Sequence, residues 1–150
     1  TIALPGHKLE EVGFLNHSTG DFFTGDILLA LAAPFFHGFQ TARGFRNTLS
    51  KIKQLINEGK IKRILAAHHH PLDEEKAFDA LKTTETFLDD VKQTVIQEAK
   101  GIHFPILWKN VCERMDKQLE FRGYAMLEVQ VNELIEDGIL NSDNGRIARK

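Results

Sequence analysis

The spacing of apolar residues changes character along this chain. In the first thirty positions they come in short runs cut by turn formers: Ile2 to Leu4 ahead of Pro5-Gly6, then Val12, Phe14 and Leu15 ahead of Ser18-Thr19-Gly20, then Phe22 and Phe23. Such runs predict a short first strand and a hairpin in which Asp21 to Thr24 returns antiparallel to the strand before it. Residues 30 to 43, "ALAAPFFHGFQTAR", keep no period, and Pro34 and Gly38 mark a partly apolar loop. Phe45, Leu49, Ile52, Leu55 and Ile56 then recur at helical spacing as far as Asn57-Glu58-Gly59. Lys62 to Ala67 reads as a strand that delivers the chain into His68-His69-His70-Pro71. Strand, helix and strand with chemically useful residues at the strand ends is an α/β arrangement.

From Asp73 onward the pattern is helical. Phe78, Leu81, Leu88, Val91 and Val95 predict one long helix, broken at Lys100-Gly101 and Phe104-Pro105. Trp108, Val111, Cys112, Met115 and Leu119 predict a second helix, and Leu127, Val131, Leu134 and Ile135 a third that stops at Asp137-Gly138. Ile139-Leu140, Asn144-Gly145 and Arg146-Ile147 predict a small closing hairpin. Three helices and a hairpin outline a winged-helix module. The division expected is therefore residues 1–72 as an α/β region and 73–150 as a mainly α, winged-helix-like module.

Composition narrows the partners. With 42% hydrophobic and 27% charged residues the 150-residue chain is an ordinary globular sequence, able to build one core or a core with a small appended module. A formal net charge of −2 and a pI near 6.4 supply no general attraction to polyanions. Cys112 is the only cysteine, which excludes an intramolecular disulfide and thiolate zinc clusters and points to a reducing, cytoplasmic setting. No apolar run approaches the ~20 residues of a membrane span. The start at "TIALPGH", already strand and loop, reads as that of a processed or truncated piece.

The stretch "FFTGDILL", residues 22 to 29, sets a carboxylate inside an apolar run, and a charge there needs a partner. Taken alone, Asp26 is also what a turn or a helix N-cap would use. His7 and the histidine run stand, like Asp26, at the ends of predicted strands, and imidazole with carboxylate is the donor set of catalytic zinc.

Three stretches, "LPGHKLEEVGF", "DFFTGD" and "KRILAAHHHP", resemble the second half of the metallo-β-lactamase fold hydrolases, over roughly residues 1 to 71. In that family a Pro-Gly-His turn, a Thr-Gly-Asp turn and a later strand end supply metal ligands. The resemblance carries those roles to His7, to Asp26 as the bridging group, and to His68, with His69 as the alternative ligand. Residues 86 to 147 resemble the helical, winged-helix-like tail of the lactamase-beta-like branch. His37 lies in the loop that in this fold passes near the site, where it could touch substrate, although packing of that loop is the simpler reading.

The fold implied is the C-terminal half of an αββα metallo-β-lactamase domain followed by a mainly α module. The function implied is a metal-dependent hydrolase whose metal-bound hydroxide attacks an ester, a thioester or a related bond of a small-molecule substrate. The cofactor would be two zinc ions, with iron or manganese as other occupants. Two features depart from the pattern: Ala66-Ala67 stands where the family has Pro-Gly, and the defining His-x-His-x-Asp-His stretch is found nowhere in the chain. The chain alone is thus expected to be inactive, with no catalytic residue beyond metal ligands, and to need the N-terminal half of the same fold. A homodimer or a non-catalytic interaction module is the alternative. Nucleic-acid binding is disfavoured, because the third helix, read from about Tyr124, carries Glu128, Glu133, Glu136 and Asp137 and no basic residue.

Overall fold

The computed structural model describes residues 1–29 and 33–150. Ala30, which opens the predicted loop, and its two successors lie outside the described residues. Two compact units divide the chain: Thr1–Ala30 with Phe39–Thr86, and Leu31–Gly38 with Phe87–Lys150.

The first unit is built on a five-stranded sheet in sequential order: β1 (Ile2–Ala3), β2 (Val12–Asn16), β3 (Asp21–Gly25), β4 (Arg63–Ala66) and β5 (Leu72–Asp73). Neighbours run antiparallel except β3 and β4, which are parallel with Phe22 opposite Ile64 and Phe23 opposite Leu65. A parallel pair needs a long crossover, and helix α1 (Ala42–Asn57) supplies it. Thr41 caps α1 by accepting the Gly44 N–H on Oγ1 at 3.0 Å. The apolar positions that predicted the helix form its buried face, Phe45, Leu49, Ile52 and Ile56, which joins Leu4, Phe22, Ile27 and Ile64 in the core.

Alternation along the strands sends Phe22 and Thr24 into this core and Phe23 out of it, with 48% of Phe23 exposed. Its register partner Phe14 is 56% exposed and Val12 44%. One sheet face is therefore covered, and the other presents an aromatic cross-strand pair to the outside. At the far end of the β3–β4 pair, Arg63 donates Nε–H and Nη2–H to the two oxygens of Asp21, at 2.7 and 3.0 Å.

Helix α2 (Glu74–Glu98) gives its first half to this unit and its second half to the other. The second unit continues with β6 (Lys100–His103), α3 (Phe104–Arg114), α4 (Phe121–Glu136), β7 (Leu140–Asp143) and β8 (Arg146–Arg149). Its strands form an antiparallel sheet in the order β6-β8-β7. Asn144 and Gly145, both at positive φ, make the tight β7–β8 turn that their dipeptide predicts.

Three boundaries differ from those expected of the sequence. Lys100 to His103 is a strand rather than a break, because its hydrogen-bond partners lie on β8, more than forty residues later, and no local pattern announces them. Pro105 opens α3 instead of interrupting a helix, in the first turn where a missing N–H costs nothing. The same helix ends before Leu119, which is 51% exposed, since Asp116 turns left-handed and the Lys117 N–H returns to the Cys112 carbonyl at 2.9 Å. Among the described residues the architecture is thus a mixed α/β one, with four helices and two sheets. No described helix is long and apolar enough to cross a membrane.

Candidate functional site

Three turns of the first unit carry the residues singled out in the sequence. His7 sits in the long loop between β1 and β2, whose mouth is closed by the Leu4 N–H donating to the Glu11 carbonyl at 2.8 Å. This loop is fastened to α1 and to the segment before it: the Gly6 carbonyl accepts the Gln40 N–H at 2.8 Å, and the Thr48 hydroxyl of α1 donates to the Pro5 carbonyl at 2.8 Å. Gly6 also lies so close to Phe45 that a Cβ there would fall 2.8 Å from the ring. The glycine of the Pro-Gly-His turn is required by packing.

Asp26 follows β3 at a turn opened by Gly25, whose φ of +62° favours glycine. His68 follows β4 after Ala67, and its own φ of 63° is in the left-handed region. A non-glycine residue held there costs about 1–3 kcal/mol, and such outliers concentrate at functional sites. Parallel pairing of β3 with β4 brings the two turns to the same sheet end, joined by the Ala67 N–H donating to the Gly25 carbonyl at 2.8 Å.

These turns bring His7, Asp26 and His68 together. His7 Nε2 lies 3.9 Å from Asp26 Oδ2, and His68 Nε2 lies 3.3 Å from Asp26 Oδ1. The carboxylate therefore meets one imidazole on each oxygen. The His7 side chain is 18% exposed and that of His68 64%, so one arm of the trio is shielded and the other open. His69 sets Nε2 3.3 Å from the Leu28 carbonyl, on the segment leaving Asp26. His37 belongs to the second compact unit, with its ring centroid 5.3 Å from that of Phe35.

Donor type suits zinc. Two ligands of a tetrahedral zinc at ~2.1 Å stand ~3.4 Å apart, a spacing that His68 and Asp26 match at 3.3 Å and that His7 and Asp26, at 3.9 Å, exceed. Donor number is another matter. Among the described residues no group of three His, Cys, Asp or Glu side chains is arranged to hold an ion. The trio offers one carboxylate and two imidazoles, fewer than the four ligands that a zinc ion usually takes.

No family model and no curated protein matches the chain. Among solved structures, a metallo-β-lactamase family protein of Thermus thermophilus superposes with a TM-score of 0.75 at 16% identity, over 99% of this chain and 48% of that one. The fold is of the metallo-β-lactamase type. The chain spans about half the length of that metallo-β-lactamase family protein.

Sequence reasoning passed over two further members of the site. Glu11 accepts the Asp26 N–H on Oε1 at 3.0 Å and the Lys8 N–H on Oε2 at 3.3 Å. Gln40 accepts the Leu9 N–H on Oε1 at 2.9 Å. Glu11 belongs to the pair Glu10-Glu11, which reads as a solvated charge run, and Gln40 lies in a loop without period, so neither carries a local signal.

Proposed function

We propose that this chain supplies a bridging aspartate and two histidines to the two-metal centre of a hydrolase. The observation that carries the reading is the Asp26 carboxylate standing between His7 Nε2 and His68 Nε2, one imidazole per oxygen, at a sheet end of a metallo-β-lactamase type fold. Asp26 would bridge the ions, His7 would bind one and His68, or His69 in its place, the other. A two-zinc centre, when bound, polarises the scissile carbonyl or phosphoryl group and supplies a nucleophile at neutral pH. The chain's own part is to hold the three donors on turns that are hydrogen-bonded to one another. Small-molecule esters, thioesters and their relatives are the proposed substrates.

The donors still needed would come from the N-terminal half of the same fold. Support comes from the donor count, from the half-length match, and from the sheet face bearing Val12, Phe14 and Phe23, an apolar surface of the kind that a second sheet covers. The element order α2-β6-α3-α4-β7-β8 supports a winged-helix-like module in the C-terminal region. Helix α4 begins at Phe121 and so includes Arg122, but Glu128, Glu133 and Glu136 outweigh that single cation, which favours a packing role over a nucleic-acid one.

Elemental analysis of the full-length gene product tests the reading, with Asp26→Ala as the control. About two metal equivalents per chain are expected, falling to less than one in Asp26→Ala. A metal-free wild type overturns the hydrolase and turns the search to the C-terminal unit as a binding surface.

A further inference from the structure

The turns that carry the candidate ligands are not independent loops. The His68 turn is tied to the Asp26 turn through the Ala67 N–H and the Gly25 carbonyl, with His69 Nε2 beside the Leu28 carbonyl. Between the His7 loop and the Asp26 turn the link is a side chain. Glu11 Oε2 accepts the N–H of Lys8, the residue after His7, and Glu11 Oε1 accepts the N–H of Asp26 itself. A side chain with two acceptors and no donor is what this position demands, because both groups that face it are N–H donors. Gly25 is shaped to the same contact, since a Cβ there would lie 2.6 Å from Glu11 Oε1.

We propose that Glu11 is a positioning residue: its carboxylate bridges the His7 loop and the Asp26 turn and so sets the separation of those two donors. This rests on the reading of the trio as metal ligands, but the bridge itself is a property of the metal-free protein. Both Glu11 oxygens point at backbone N–H groups, so the residue acts through its neighbours and is not itself a ligand. Gln, of the same size, offers one acceptor and one donor, and therefore leaves one of the two N–H groups facing an N–H.

The test is amide hydrogen exchange by NMR on the full-length, metal-free protein, followed by a zinc titration, for wild type, Glu11→Gln and the exposed neighbour Glu10→Gln. In Glu11→Gln the amide of Lys8 or Asp26, or both, should exchange about tenfold faster while Ile52 in α1 keeps its protection, which certifies the fold. Zinc affinity should fall about 10–100-fold, as for other groups that orient metal ligands. Glu10→Gln should leave both measurements as in wild type, and an equal loss there would overturn the proposal in favour of a simple charge effect. Unchanged exchange at Lys8 and Asp26 overturns the bridge. Faster exchange with unchanged affinity overturns its positioning role. A wild type that binds no zinc, with the exchange difference intact, supports the bridge and removes the metal centre. Should Glu11→Gln not fold, Glu11→Asp, whose carboxylate is one methylene short of spanning both N–H groups, takes its place with the same expected losses.

Discussion

The two compact units use the same kinds of residue to different ends. In the first, apolar side chains lie on both faces of a short-stranded sheet, and the polar residues that matter stand in turns that the sheet brings to one end. In the second, the buried residues Leu88, Val91, Val95, Leu107, Val111, Leu127, Val131 and Leu134 come from helices, and the small sheet closes the end of the chain. A helix buries one face by local geometry, whereas a sheet with an apolar second face calls for another layer. The unit with the candidate chemistry is thus also the one that presents an aromatic cross-strand pair on an open sheet face.

The sharpest way to break this comparison is through the core of the sheet unit. Phe22→Ala removes a ring that is fully buried beside Gly13 and Leu4, and should cost about 3–5 kcal/mol in denaturant unfolding. If Tyr124 fluorescence or NMR signals of α4 persist after the sheet unit has melted, the units are separate cooperative blocks. A single shared transition would instead make the chain one folding unit.

In the second unit the comparable lever is a turn. Gly145 has a φ of +74° in the β7–β8 hairpin, and Gly145→Ala should cost about 1–2 kcal/mol, read as a lower melting temperature. A loss well below this would mean that the helices hold the unit without its sheet.

Electrostatics distinguishes the units by pH. The Arg63 guanidinium, then the Thr19 hydroxyl, hold the Asp21 carboxyl below its ordinary value of 3.8. A lowered carboxyl contributes stability above the unfolded pKa and loses it as pH falls through the folded value, so the sheet unit should weaken below about pH 4. Arg63→Ala should flatten that acid slope in a pH series of urea melts. In the second unit, burial pushes the Cys112 thiol up to about 11. Its contribution is complete below the unfolded thiol pKa of about 8.5 and declines as pH rises above it, and Ellman's reagent should find the thiol unreactive at pH 8 until the chain unfolds.

The smallest effect on stability is expected at the open sheet face. Phe14→Ser with Phe23→Ser should change unfolding by no more than about 1 kcal/mol, because both rings are about half exposed. The same pair should abolish any self-association of the chain seen by light scattering. A large loss of stability with no change in association would mean that the rings are core rather than surface.

How legible the molecule is from its sequence depends on how local each feature is. Helix α1, the stop at Gly138 and the Asn144-Gly145 turn are written in runs of fewer than twenty residues, by spacing, caps and positive φ. Strand β6 is not, because its hydrogen bonds are made with β8 and its own sequence, Lys-Gly-Ile-His, has no strand pattern. The end of α3 was hidden for a related reason: Leu119 continues the apolar period, but the left-handed turn at Asp116 takes it off the helix.

The candidate site divides in the same way. Residue identity at Pro5-Gly6-His7, Thr24-Gly25-Asp26 and His68 was determined by sequence alone, and so was the positive-φ turn that Gly25 opens, whereas the demand for glycine at position 6 comes from the Phe45 ring of α1. That His7 and His68 meet opposite oxygens of one carboxylate was decided by the parallel β3–β4 pairing and by the loop fastened to α1. Glu11 belongs wholly to the tertiary structure: the amides it accepts lie three and fifteen residues away, on turns that only the folded sheet brings within reach of one carboxylate.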